Sequence, residues 1–429
     1  MSGQLNIRPS DDYVTINPDN GALLKYLEKH GRFPPFSLSI FPLEDLTREI
    51  FIDKFMSYRF QSSILIPVDS WSAEVKYDLD LKDLSGRLRP SEGDIVVLRA
   101  NGIPVATGQI DHLDMETDGK SGTKLTLQGR DLLGMWEDQD SVSLDSKILD
   151  GKRYTIDQVV SALAVNSRIN AKKLVKRTAT RNPYLFATQP GETKLSSIQR
   201  YCEALDIYFW MSGDGNLIIG KPDMYGVRSP NPRSRFFVSR RDRSSNVLSM
   251  RSSRNSTSVP SYIVPLWNGQ EGILGRNVPL PAVKNRNKGA IRLKNLGHVV
   301  AKAVVTSTPQ GASPQDLADI NALLVAGQQQ NAEINFKNAP TILNAYAERE
   351  MAKLNMKTLQ VQATVPGHYN DRAEPLLVDQ VYRIQYDIDG IDQDMFLYEV
   401  EYTMTEGEGQ RTRMFFCPQD SLVSKVVAI

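Results

Sequence analysis

Residues 94–138 read DIVVLRANGIPVATGQIDHLDMETDGKSGTKLTLQGRDLLGMWED. Ile95 to Leu98 form a short apolar run, bounded by Gly93 and by Asn101-Gly102. Asn-Gly marks a tight turn because both residues tolerate positive φ. The pattern predicts a second strand over 105–115, with Asp118-Gly119 and Ser121-Gly122 marking the next turn. Residues 123–127 alternate polar and apolar, the period of a half-buried strand. Gly129-Arg130-Asp131-Leu132-Leu133-Gly134 then reads as a strand passing into a short helical turn. Three strands and two tight turns make a β-meander.

The same grammar returns near the C-terminus. Val381 to Tyr386 read as a strand and Asp389-Gly390 as a turn. Phe396, Tyr398, Val400, Tyr402 and Met404 alternate with their neighbours, Gly407 and Gly409 turn the chain, and Thr412, Met414 and Phe416 share one face of a last strand. Gly102-Ile103 aligns with Gly390-Ile391, Ile110-Asp111 with Val400-Glu401, and Thr123 with Thr412. Either one β module occurs twice, or two unrelated meanders look alike at this level.

At 429 residues the chain is too long for one ordinary core, and about three domains are expected. Apolar residues make up 41% and charged residues 24%, the balance of a globular protein. The net charge of +1 gives no global field toward nucleic acid or membrane. No apolar run approaches the roughly 18 residues of a membrane helix. The opening MSGQLNIR lacks the basic and apolar regions of a signal peptide. Cys202 and Cys417 lie far apart in sequence, which argues against a disulfide framework and fits synthesis in a reducing cytoplasm.

The fold class expected is mainly β with α+β: two similar barrel or meander modules, a small α+β domain and an irregular, partly helical insertion. Residues 1–35 read as an N-terminal arm, with a short helix over 22–29 ended by Pro34-Pro35. Residues 36–140 form the first β module, with strands at 36–41, 50–60 and 71–77. Residues 141–223 form the α+β domain. There Thr155-Ile156-Asp157-Gln158 is a capping box and a helix over 194–205 precedes a strand, a tight hairpin and a strand. Residues 224–338 are an Arg-rich and helical connecting region, with strands near 236–238 and 261–264 and a helix starting at Ser313-Pro314. Residues 339–429 hold a helix over 340–353 and the second β module.

Signs of chemistry are few. His30, His112, His298 and His368 have no second His or Cys at ligand spacing, so no metal site is expected. Asp387, Asp389, Asp392 and Asp394 read as a solvated turn, because the bidentate Glu of a calcium loop is missing. No phosphate-binding loop and no nucleophile elbow are present, and no cofactor is expected. The compositional anomaly is basic: Arg228, Arg233, Arg235, Arg240, Arg241, Arg243, Arg251 and Arg254 share a segment whose acid is Asp242. That segment could touch a neighbouring subunit or acidic partner, contact nucleic-acid phosphates, or form a solvated face.

Val105-Ala106-Thr107-Gly108-Gln109-Ile110-Asp111 and the run from Thr123 to Gly134 resemble the baseplate hub protein of Mu-like contractile-tailed phages. So do residues 192–222 and the C-terminal meander. The likeness covers most of the chain after residue 36 and departs in the N-terminal arm and around residues 313–338. Gly108, Asp111, Gly129, Arg130 and Asp131 mark the first module and are expected to hold it together. The resemblance implies a non-enzymatic structural protein of the virion tail, a homotrimer whose six modules form a pseudo-hexameric ring. That ring would join a hexameric tail tube to a trimeric spike, contact other baseplate proteins through the arm or insertion, and let DNA pass through its lumen. A hub of a phage-derived bacteriocin or injection system, a tail-associated peptidoglycan hydrolase and a nucleic-acid-binding module are the alternatives.

Overall fold

The computed structural model describes residues 5–7, 14–16, 22–76, 90–118, 122–141, 150–165, 167–171, 174–177, 184–205, 207–223, 234–241, 243–255, 260–268, 277–279, 283–284, 301–307, 351–352, 354–356, 358–419 and 421. The helix predicted from Ser313 lies outside them, as does most of the one predicted over 340–353; residues 351–352 and 354–356 are helical.

Two short strands, β1 (Leu5–Ile7) and β2 (Val14–Ile16), pair with each other, and α1 (Ala22–His30) follows. The first module contains β3 (Phe36–Phe41), β4 (Ile50–Ile52), β5 (Ser57–Ser63), β6 (Ser70–Lys76), β7 (Ile95–Ala100), β8 (Ile103–Asp118) and β9 (Gly122–Asp131). The single strand expected over 50–60 is therefore two, interrupted at Asp53-Lys54-Phe55, a charged pair that breaks the apolar run. On β6, Trp71, Ala73 and Val75 are buried, as the alternation requires. Next come α2 (Gly134–Asp138), β10 (Asp150–Tyr154), α3 (Ile156–Leu163), β11 (Val175–Lys176), β12 (Tyr184–Ala187), α4 (Lys194–Ala204), β13 (Tyr208–Met211) and β14 (Leu217–Gly220). Thr155 caps α3 by accepting the Gln158 amide, while the Gln158 side chain takes the Thr155 amide.

The remaining strands are β15 (Arg235–Ser239), β16 (Ser244–Ser245), β17 (Ser249–Arg254), β18 (Tyr262–Asn268), β19 (Asn277–Pro279), β20 (Val283–Lys284), β21 (Ala301–Ser307), β22 (Leu359–Pro366), β23 (Gln380–Tyr386), β24 (Ile391–Thr405) and β25 (Gly409–Pro418). Strands β18 to β21 form a separate four-stranded sheet, inserted between β17 and β22.

One 14-stranded sheet holds the two meanders together, in the order β16-β15-β23-β24-β5-β6-β9-β8-β7-β3-β4, with β25 beside β24, β22 beside β25 and β17 beside β22. The pairings reveal the repeat. In the first half, β5 pairs β6, β6 pairs β9, β9 pairs β8, β8 pairs β7, β7 pairs β3 and β3 pairs β4. In the second, β17 pairs β22, β22 pairs β25, β25 pairs β24, β24 pairs β23, β23 pairs β15 and β15 pairs β16. Chain order is the same in both halves, with the β18–β21 sheet as the addition in the second. One link differs: β3 runs antiparallel to β7, whereas β15 runs parallel to β23.

Bulges set the register of the repeat. The β8–β9 ladder shifts between Ile110 and His112, and the β24–β25 ladder between Leu397 and Glu399. Asp111 thus corresponds to Tyr398, three residues before the Glu401 assigned from alternation. Thr412 corresponds to Leu125, two residues beyond Thr123. A period of two cannot see the extra residue that a bulge inserts. With Gly129 matched to Phe416, Trp71 matches Val361, Ala73 matches Ala363 and Val75 matches Val365.

One core runs through both halves, from Phe36, Phe60 and Trp71 to Val400, Tyr402 and Met414. The segment from Leu132 to Ile219 has its own core, built on Trp136, Val159, Ile198, Tyr201 and Phe209. Among the described residues no helix is long and apolar enough to cross a membrane.

Candidate functional site

The five residues expected to mark the first module meet where β8 pairs with β9 beside the bulge at Asp111. Glycine is required there by close approach. A Cβ on Gly129 would lie 1.9 Å from the Gln109 carbonyl oxygen and 2.7 Å from the Trp71 ring, and one on Gly108 would lie 2.0 Å from the Arg130 carbonyl oxygen. The bulge at Asp111 turns its carboxylate toward Arg130. Arg130 Nε donates to Asp111 Oδ2 at 2.7 Å, its Nη2 to Asp138 Oδ2 at 2.6 Å and its Nη1 to Glu137 Oε2 at 3.0 Å. One guanidinium thereby ties the bulge to α2.

Asp131 is buried beneath this cluster. Its Oδ1 accepts the Leu133 amide at 3.0 Å and its Oδ2 the Asp69 amide at 3.2 Å, while its own amide donates to the Asp69 carbonyl at 3.0 Å. Asp69, also buried, accepts the Ser63 amide at 3.3 Å. Burial pushes the Asp131 carboxyl up to about 7. Burial, and then the charge of Asp131, pushes Asp69 well above the usual carboxylate range. Both carboxyls are thereby drawn toward their protonated forms, and the hydrogen bonds between Asp131 and the Asp69 backbone clasp β9 onto the turn before β6. Asp69 was not legible in the sequence, because a lone Asp in a loop carries no pattern.

The second cluster lies at the seam between the modules, where β24 adds to β5 in an antiparallel ladder of seven residue pairs, from Glu399↔Ser63 to Thr405↔Ser57. Arg59 Nε donates to Glu401 Oε1 at 2.6 Å, and Arg413 Nη1 to Glu401 Oε2 at 2.9 Å. Behind the ladder His368 is buried and stacked on Tyr402, with Nε2 2.5 Å from the Tyr58 hydroxyl and Nδ1 2.8 Å from Thr412 Oγ1. Burial depresses the His368 imidazole to about 3, so the ring is neutral. A neutral ring has one donor and one acceptor nitrogen, which suits two hydroxyl partners. His368 joins β5 to the second module and sits far from ligand geometry; among the described residues no metal-holding cluster forms.

The arginines do not form one patch. Arg228 and Arg233 lie outside the described residues. Arg235 opens β15, with its guanidinium 5.3 Å from the Phe237 ring. Arg240, Arg241 and Arg243 are exposed at the turn into β16, where Arg243 takes a left-handed φ of 49°. Arg251 and Arg254 lie on β17, an edge strand. Arg254 pairs with Asp389 at 3.2 Å, and Arg383 reaches Asp392 at 2.9 Å and Asp394 at 3.1 Å. The acidic turn is thus engaged by arginines.

A cleft of about 330 Å³ lies between the α+β unit and both modules, lined by Ser62, Trp210, Ser212, Val378, Asp379 and Gln380 among others. Arg177 crosses it to pair with Asp379, its guanidinium 5.1 Å from the Trp210 ring. The Asp223 amide takes the other Asp379 oxygen at 2.7 Å. These contacts bind the unit to the second module. Thr107 does the same for the first, donating to the Gly213 carbonyl at 2.8 Å.

Solved structures share this architecture over nearly its whole length. A tail protein from Neisseria meningitidis MC58 is 19% identical with a TM-score of 0.64, the match covering 90% of this chain and 98% of that one. The 43 kDa tail protein of prophage MuSo2 from Shewanella oneidensis is 13% identical with a TM-score of 0.65, covering 91% and 99%. The prophage tail protein gp18 from Listeria monocytogenes EGD-e is 9% identical with a TM-score of 0.52, covering 89% and 94%. No family model and no curated protein matches the chain. Two seven-strand repeats fused at β5 and β24, with an α+β unit between them, make up the fold that this chain shares with prophage tail proteins.

Proposed function

We propose that the protein is the structural hub of a contractile phage-tail baseplate. The observation that carries this reading is the doubled module: one chain presents the same seven-strand order twice, joined edge to edge, in a fold shared end to end with tail proteins. Three such chains give six modules. A ring of six pseudo-equivalent modules built from three subunits offers sixfold contacts on one face and threefold contacts on the other. It therefore suits a hexameric tail tube above and a trimeric spike below, with DNA passing through the lumen. Copies joined by unlike surfaces close into rings when the rotation allows. The role is one of assembly rather than catalysis. The N-terminal arm and the insertion between β17 and β22 are the surfaces for other baseplate proteins.

The test is the mass of the purified chain in solution, with negative-stain images of the same sample. Three copies in a ring of apparent sixfold outline are the expected result. A monomer that also fails to assemble when mixed with the trimeric spike would overturn the reading.

A further inference from the structure

The seam inside the chain has a counterpart with its two halves left apart. Within the chain, the distal half of β24 adds to β5. The bulge register matches β24 to β8, so that Glu399 corresponds to His112, Glu401 to Asp114, Tyr402 to Met115 and Thr403 to Glu116. The ladders of β6 and β22 match β5 to β17, so that Ser57 corresponds to Ser249, Tyr58 to Met250, Arg59 to Arg251 and Phe60 to Ser252. Two of these four positions carry the same residue. The equivalent of the β5–β24 ladder would therefore be β17 against the distal half of β8. Within one chain those strands do not pair: β7 stops at Gln109 on β8, and among the described residues β17 pairs with β22 alone.

Resting on the hub reading, we infer that these two edges join neighbouring subunits: residues 112–117 of β8 in one copy add antiparallel to β17 of the next. The register pairs Glu116 with Arg251, Met115 with Ser252 and Asp114 with Ser253. The charges fit. Arg59 reaches Glu401 inside the chain at 2.6 Å, and the corresponding pair across the interface is Arg251 with Asp114. The β8 edge carries Asp114 and Glu116, the latter also 3.4 Å from Lys124, and the β17 edge carries Arg251, while Arg254 is held by Asp389 of its own chain. Met115 is exposed at 44%, whereas its counterpart Tyr402 in the internal ladder is fully buried, and the new ladder brings Met115 toward cover. Each chain keeps one edge of either kind, so copies add head to tail, and strand addition satisfies backbone groups that an open edge leaves to water.

The test is cross-linking. Met115→Cys/Ser252→Cys is treated with a short bis-maleimide; native Cys202 and Cys417 are buried. A covalent three-chain product is expected, with each single-cysteine variant giving none. In the otherwise native chain, Arg251→Glu places like charges across the ladder and should weaken assembly by about tenfold or more, and adding Asp114→Arg should restore it. A trimer by mass that is neither cross-linked at these positions nor sensitive to Arg251→Glu overturns the strand pairing and leaves the hub reading standing. A chain that stays monomeric with and without spike overturns both.

Discussion

His368 and the Asp69–Asp131 pair bury opposite titrations in one chain. His368 has its folded value depressed from 6.5 to about 3. Its contribution to stability is complete above pH 6.5 and is lost as the pH falls toward 3, because the unfolded chain takes a proton that the folded ring refuses. Asp131 has its folded value raised from 3.8 to about 7. Its contribution is complete below pH 3.8 and is lost as the pH rises toward 7, because the folded chain keeps a proton that the unfolded chain releases. Asp69 has the same sign. Between about pH 4 and 6.5 each unmatched proton tilts stability by about 1.4 kcal/mol per pH unit, in opposite directions. Removing either group exposes the other. In His368→Gln the urea midpoint should rise on going from pH 6.5 to 4.5. In Asp69→Asn/Asp131→Asn it should fall over the same range. Midpoints that follow the unaltered protein in both variants would show that neither group is buried as described.

At the scale of the strand, the pairing of β8 and β9 depends on what is missing from its side chains. Gly129→Ala drives a methyl group into the Gln109 carbonyl and the Trp71 ring. The expected loss lies toward the upper end of about 1–3 kcal/mol, the ordinary cost of overpacking. Gly407→Ala, where a Cβ meets nothing within 4 Å, is the control and should stay within about 0.5 kcal/mol. Equal denaturation midpoints for the two variants would dismiss the close approach. Both glycines look alike in sequence, which shows where local reading stops. It finds the turns of the meanders and the Thr155 capping box, since each is written within a few neighbouring residues. It finds the two module-marking glycines as glycines, but the neighbours that demand them come from other strands. Likewise the alternation of β8 and β24 is visible while their bulges are not, and Arg59 meets Glu401 only after 342 residues of chain have folded.

For the whole molecule, the seam decides how many parts the chain has. Phe36, Tyr58 and Phe60 of the first module meet His368 and Tyr402 of the second in a single aromatic cluster. That cluster belongs to a core running through both repeats, so neither repeat can lose its packing alone. The α+β unit is different. Its larger core is its own, and its described links to the modules are a smaller apolar cluster, in which Trp210 and Ile218 pack with Ile64, Val381, Phe396 and Tyr398, and polar contacts from Thr107 to Gly213, from Arg168 to the Gly93 carbonyl and from Arg177 to Asp379. Hydrogen bonds of this kind each contribute about 1 kcal/mol net, and the apolar cluster is far smaller than the core that the two repeats share. Calorimetry should therefore show two transitions rather than three. Phe60→Ala, a large-to-small change at the seam, should cost about 3–5 kcal/mol and lower the transition of the paired modules. Ile198→Ala should cost about 2–5 kcal/mol and lower that of the α+β unit. If both substitutions shift one common transition, the unit and the modules are a single cooperative body. If Phe60→Ala splits the module transition in two, the repeats are independent domains that merely touch, and the ladder between β5 and β24 is too weak to serve as the template for a ring.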